Sequence, residues 1–168
     1  ERAVALRRQL DPAGSLDLAR SLVELARVTT RQGRFTEATA MIDEAEAVAS
    51  RLVRPPHADL ARVLQARAAI LRGRGHENDA IAMLERATEQ LREIPDEEVL
   101  LCEALVDLAR ARHAVLAILP AARAPYEEAL ARQERLFGPQ SYQVAVTLTG
   151  HARLLQDFLP VGSPVEQY

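Results

Sequence analysis

Residues 33–45, GRFTEATAMIDEA, open with a glycine and an aromatic and then place Ala38 and Ala45 two helical turns apart on one stripe. Side chains this small let a second backbone come close, so the stretch requires a neighbouring helix. Forty-two residues later, positions 75–87 read GHENDAIAMLERA, with Gly75, Ala80 and Ala87 in the corresponding places. A recurrence at fixed period changes the meaning of every residue inside it. Equivalent leucines fall at Leu22, Leu64, Leu105 and Leu148, and equivalent alanines at Ala26, Ala68, Ala109 and Ala152. Two further series, Ala3, Ala45, Ala87, Ala129 and Leu10, Leu52, Ile94, Leu136, step by 42 each time.

Each unit reads as two helices. In LDLARSLVELARVTT the residues Leu18, Leu22, Leu25, Ala26 and Thr29 share one face at helical spacing, and a second helix begins after Gly33 or Gly75. Between units stand RPPHAD, EIPDEE and FGPQSY, where proline ends one helix and Asp or Ser can cap the next. The fold class is therefore all-α, a solenoid of about seven to eight helices in antiparallel hairpins. The expected organisation is a single array: 1–14 the second helix of an incomplete repeat, then repeats at 15–56, 57–98 and 99–140, and 141–168 the first helix and tail of a fourth. The third repeat lacks the glycine and carries Pro120 and Pro125 near the start of its second helix, so a longer or irregular turn is expected there. Both ends read as half-helices, SPVEQY being the start of one, with no polar cap. That pattern is expected of a piece cut from a longer array; the alternative is chains that join end to end.

Composition narrows the function classes. With 168 residues, 48% apolar but only 4% aromatic and no tryptophan, the core must be built from Leu, Ala, Val and Ile. A formal charge of −3 gives no whole-chain reason to expect nucleic acid or an acidic membrane surface. All 21 basic residues are arginine, which points to a GC-rich, bacterial coding sequence. Cys102 is the only cysteine, so no intrachain disulfide forms and a cytoplasmic setting is the simpler expectation. There is no run of 18 apolar residues and no signal-peptide core at ERAVALRRQL.

The pattern G-x-F-x-x-A-x-x-x-I-x-x-A from Gly33, preceded by Leu22, Leu25 and Ala26, resembles the tetratricopeptide repeat. The alanine pair and glycine-aromatic turn match best in the first two units. The third keeps Ala122, Tyr126 and Ala129, and the fourth offers only a first helix. The period of 42 and the stretch LFGPQSYQVAVTLTGHARL are similar to the longer-helix variety of kinesin light chains and of bacterial multidomain proteins. The resemblance implies a right-handed superhelix whose first helices line a concave, peptide-binding side. It is specific for fold and nearly silent about function.

With Leu18, Leu22 and Leu25 facing inward, Arg20, Val23, Arg27 and Arg31 leave the other side of the first helix. Equivalent positions are Arg62, Gln65, Ala69 and Arg72, then Glu103, Val106, Arg110 and His113, then Val146, Thr149, Arg153 and Gln156. Arg27, Arg110 and Arg153 share one repeat position and form a basic ladder. Guanidinium forks pair with carboxylate or phosphate, so a groove with this ladder suits an extended peptide that is acidic, phosphorylated or held by its C-terminus, with Val23, Val106 and Thr149 giving apolar contact. The competing reading is a solvated face with local ion pairs, since Glu24, Glu103 and Asp107 lie nearby. The lysine and asparagine clamp of chaperone-binding family members is missing: Arg27 occupies the asparagine position and the chain has no lysine. Thr149-Gly150 likewise replaces the asparagine pair of kinesin light chains, which removes support for motor cargo binding.

Other chemistry finds little purchase. His57, His76, His113 and His151 are scattered without metal spacing, so no metal or cofactor is expected. His57 and His76 fall at turns and should be exposed; His151 is placed to pack between helices. Cys102 sits in the apolar run VLLCEAL and reads as a small buried residue. Asp43-Glu44, Glu97-Glu98 and Glu127-Glu128 are adjacent on helices and diverge by about 100°, so they cannot converge on one atom. Gly73 to Gly75 form an interhelical turn without the strand or lysine of a phosphate loop. The chain is expected to be a non-enzymatic protein or peptide scaffold. The alternatives are a self-assembly module and an accessory region of a bacterial kinase or ATPase-linked regulator; RNA-reading repeats fit poorly.

Overall fold

The computed structural model describes residues 1–158, except the side chains of residues 116 and 117. The expected half-helix at SPVEQY lies outside the described residues. The elements are α1 (Arg2–Leu10), α2 (Leu16–Arg31), α3 (Phe35–Leu52), α4 (Ala58–Gly73), α5 (Glu77–Arg92), α6 (Glu98–His113), α7 (Arg123–Phe137) and α8 (Tyr142–Phe158). Short 3₁₀ turns at Pro95–Glu97 and Leu116–Ala122 precede α6 and α7.

Local chemistry sets the boundaries. Ser15 caps α2, its hydroxyl accepting from the Leu18 N–H at 3.3 Å. His57 caps α4 in the same way, its Nδ1 accepting from the Asp59 N–H at 3.2 Å, so this imidazole has a structural use. Gly33 and Gly75 take φ of +75° and +81°, and in both turns the chain closes with an equivalent backbone bond, Arg34 N–H to Thr29 O and His76 N–H to Leu71 O. The third unit has no such glycine. Its chain leaves α6 through Ala114 and reaches α7 through the 3₁₀ turn that holds Pro120, the irregular connection its prolines require.

Packing follows the alanine stripes. Ala38, Ala45, Ala80, Ala87 and Ala129 are all fully buried, and α2 packs on α3, α4 on α5, and α6 on α7 as hairpins. Leu22, Ile42, Leu84 and Leu105 fill the space between, each contributing about 1.5–3 kcal/mol of burial free energy. The first helices α2, α4, α6 and α8 touch in succession and make one layer, with α3, α5 and α7 behind it. Two helices also meet through a glycine: a Cβ on Gly73 would lie 2.3 Å from Phe35 Cε1, so the ring of α3 sits directly on the α4 backbone. The result is an all-α solenoid in which each hairpin rests on its neighbours.

Candidate peptide-binding groove

The residues expected along the concave layer fall into three sets. Arg20 and Arg62 serve the scaffold. Arg20 donates to both oxygens of Asp59, at 2.7 and 3.0 Å, and Asp59 is only 3% exposed at the start of α4. One repeat on, Arg62 reaches Glu97 at 3.4 Å. Each arginine thus ties one first helix to the beginning of the next. Val23 is buried where α2 meets α4, so it packs the layer rather than projecting from it.

The second set lines a cleft of about 450 Å³: Arg27, Arg31, Gln65, Val106 and Arg110 stand with Glu103, Asp107, Gln133, Tyr142 and Val146. Gln65 and Val106 are buried in its floor, whereas Tyr142 is 81% exposed at its edge. The third set lines a cleft of about 540 Å³ and comprises Arg72, Arg110, His113, Thr149 and Arg153 with Tyr126, Val146 and Gly150. Arg110 and Val146 belong to both clefts, so the two are halves of one groove running from α2 to α8. Gln156 is exposed on α8 and lines neither half.

Charge is distributed unevenly along the groove. Arg27 and Arg110 have only loose partners one turn away, Glu24 at 3.9 Å and Asp107 at 4.0 Å. Arg72 meets Glu77 at 3.3 Å, and His113 Nε2 lies 2.6 Å from Asp157. The Asp107 carboxyl is pushed above its usual range by burial, with Arg110, Arg72 and Arg27 acting in the opposite direction. The Tyr126 hydroxyl is likewise held protonated by burial against the pull of Arg110, Arg72 and Arg153. Gln65 and Gln133 carry a different signature. Both are almost fully buried, and the two amide atoms of Gln65 and Oε1 of Gln133 have no hydrogen-bond partner among the described residues. Leaving such a group unmet costs about 1–3 kcal/mol.

Sequence reasoning missed Gln133 and Tyr142 as well as Tyr126 among the groove residues, and for Tyr126 the sequence held a signal. Tyr126 comes from the second helix α7 and reaches between α6 and α8 because position 150 is glycine; a Cβ there would lie 2.9 Å from the tyrosine hydroxyl. A glycine in the middle of α8 was the available signal. His151 stacks on the same ring, with centroids 5.8 Å apart. Cys102 is buried and its thiol is pushed up to about 11, the behaviour of a small core residue. Among the described residues no cluster of His, Cys, Asp and Glu is arranged to hold a metal, and no helix is long and apolar enough to cross a membrane.

The described residues form a solenoid of helical hairpins with two adjoining clefts along its first-helix layer. Residues 17–93 match the tetratricopeptide-repeat family model. Among solved structures, BtubC (BKLC) from P. vanneervenii is similar at 25% identity and a TM-score of 0.80, over 93% of this chain and 63% of that one. A kinesin-light-chain-like protein of Podosopora anserina with nearly identical TPR-like repeats is similar in fold, with a TM-score of 0.72 at 22% identity over 82% of this chain and 65% of that one. The chain thus spans just under two thirds of the length of either structure. No curated protein matches the sequence. Repeats of this family are generally protein-protein interaction scaffolds and typically non-enzymatic.

Proposed function

We propose that this array, parsed as 1–14, 15–56, 57–98, 99–140 and 141–168, binds an extended segment of a partner protein along the α2 to α8 groove. Arginines fix anionic groups of the partner, and Val106, Val146 and Tyr142 supply apolar contact. The observation that carries this reading is the continuity of the two clefts through Arg110 and Val146. Arginine-only coding and the single buried cysteine favour a bacterial cytoplasmic parent protein.

The test is binding of a randomised peptide library, half with free and half with amidated C-termini, followed by salt titration of the hits. Arg27→Ala, Arg110→Ala and Arg153→Ala together should weaken the hits about tenfold or more while circular dichroism retains the helix content. Unchanged affinity in that triple variant would sink the basic ladder. A second reading, pairing between chains, is supported by the face of α8: Leu148 is 48% exposed although its counterparts Leu22, Leu64 and Leu105 are buried. Mass that rises with concentration in analytical ultracentrifugation would favour it.

A further inference from the structure

The two halves of the groove differ in chemistry, and the difference selects a ligand group for one of them. The half beside α2 is mixed: Glu103 and Asp107 stand among its arginines, and Gln65 and Gln133 present neutral amides. No carboxylate lines the half between α6 and α8, although Glu77 meets Arg72 at 3.3 Å and Asp157 meets His113 at 2.6 Å from beside it. Three guanidiniums reach it from three different helices, Arg72 from α4, Arg110 from α6 and Arg153 from α8, and the Tyr126 and Thr149 hydroxyls stand among them. All three arginines line the same cleft as Tyr126 and act electrostatically on its hydroxyl.

We infer that this half of the groove is a subsite for a phosphorylated side chain, with Arg72, Arg110 and Arg153 as its cationic walls and the Tyr126 hydroxyl at its floor. The inference rests on the peptide-binding reading and names the group the partner presents. Donor count decides between anions. A carboxylate offers two oxygens and one charge, and a single guanidinium fork engages both oxygens. A phosphoryl group offers three terminal oxygens and about 1.5 to 2 negative charges at neutral pH, enough to engage three forks that converge from different directions. The space, about 540 Å³, is far more than a lone carboxylate needs. Tyr126 is nearly fully buried, and its hydroxyl is kept in the donor form that an anion requires. Asp107, just across Arg110 at 4.0 Å, is the internal counter-ion that an incoming phosphate displaces in electrostatic terms. It makes the empty site tolerable and sets a threshold on how strong an anion must be to bind.

The test uses three amidated peptide pools with randomised flanks and a fixed central phosphoserine, glutamate or serine, with binding to the intact chain read by fluorescence anisotropy. The phosphoserine pool should bind at least about tenfold more tightly than the glutamate pool, with inorganic phosphate competing. Arg153→Lys keeps a charge but removes the fork and should erase most of that preference, and Tyr126→Phe, which preserves the ring, should lower it several-fold. Asp107→Asn should tighten phosphoserine binding, whereas Arg34→Ala, an exposed arginine at the start of α3, should leave it unchanged. Equal binding of glutamate and phosphoserine pools, or tighter binding of a free C-terminal carboxylate, would overturn the phosphate subsite and leave the peptide groove standing. If no pool binds while the helix content is intact, both readings fall.

Discussion

Asp107 shows how a single residue can work against the fold and for the site. Its carboxyl is raised above the usual range by desolvation although the side chain is 42% exposed, so the folded state bears a small, solvent-screened cost for keeping it charged. That cost is fully present at neutral pH, where both folded and unfolded forms are ionised. It vanishes as pH falls through the raised folded value and then the unfolded one. Asp107→Asn should therefore raise the melting temperature at pH 7, and the gain should shrink to nothing in thermal melts carried down through the carboxylate range. Gly150 makes the opposite point, a residue whose absence of a side chain is used. Gly150→Ala would press a Cβ to 2.9 Å from the Tyr126 hydroxyl, so the buried tyrosine side chain must shift. We expect a loss on the order of 1–3 kcal/mol in urea unfolding, as for other overpacked sites, together with weaker phosphopeptide binding. Cys102, with its thiol near 11 and its side chain buried, should stay unalkylated by iodoacetamide at pH 7.5 until the chain is denatured.

At the scale of the helices, the question is why arginines at similar repeat positions do different work. Arg20 and Arg62 lie early in their helices, opposite the first turn of the next first helix, and there they meet Asp59 and Glu97. Arg27, Arg110 and Arg153 lie two turns later, where the layer opens into the groove. Removing Arg20 leaves the Asp59 carboxylate buried without its fork, so Arg20→Ala should destabilise the chain by about 1–3 kcal/mol in chemical denaturation. Arg27→Ala, whose partner Glu24 is exposed and 3.9 Å away, should change stability by less than about 0.5 kcal/mol. The helices themselves were legible in the sequence, because alanine pairs at helical spacing and turn glycines at φ above +70° leave few alternatives. The irregular third turn was legible from its prolines for the same local reason. The division of the ladder was not, since which arginine finds a carboxylate depends on how neighbouring repeats are offset, a long-range property. Nor was the burial of Val23, Gln65 and Val106 in the layer, because a helical wheel shows where a residue points but not how near the next helix stands.

For the whole molecule, stability is distributed as in other stacked repeats, where each unit is supported chiefly by its neighbours. One apolar cluster joins α1 to α4 around Leu22 and Ile42, and others join α4 to α8 around Leu84, Leu105 and Tyr126. The groove crosses these clusters, but its two halves do not depend on them equally. The mixed half draws Arg27 and Arg31 from α2, whereas the phosphate half is built from α4, α6, α7 and α8 alone. Damage confined to the first hairpin should therefore separate the two. Ile42→Ala removes a fully buried side chain from α3 and should cost about 2–5 kcal/mol locally. In hydrogen exchange followed by mass spectrometry, amides of α2 and α3 should lose protection while those of α6, α7 and α8 keep most of theirs. Binding of an amidated phosphoserine peptide should weaken only modestly in this variant, because its charged group rests on the undisturbed half. A phosphopeptide present at about 100 times its dissociation constant should in turn stabilise the binding-competent array by about 2.7 kcal/mol, and with Ile42→Ala that protection should concentrate in α4 to α8. Uniform loss of protection along the chain would show instead that the hairpins unfold as one unit, and that the groove is a property of the complete array.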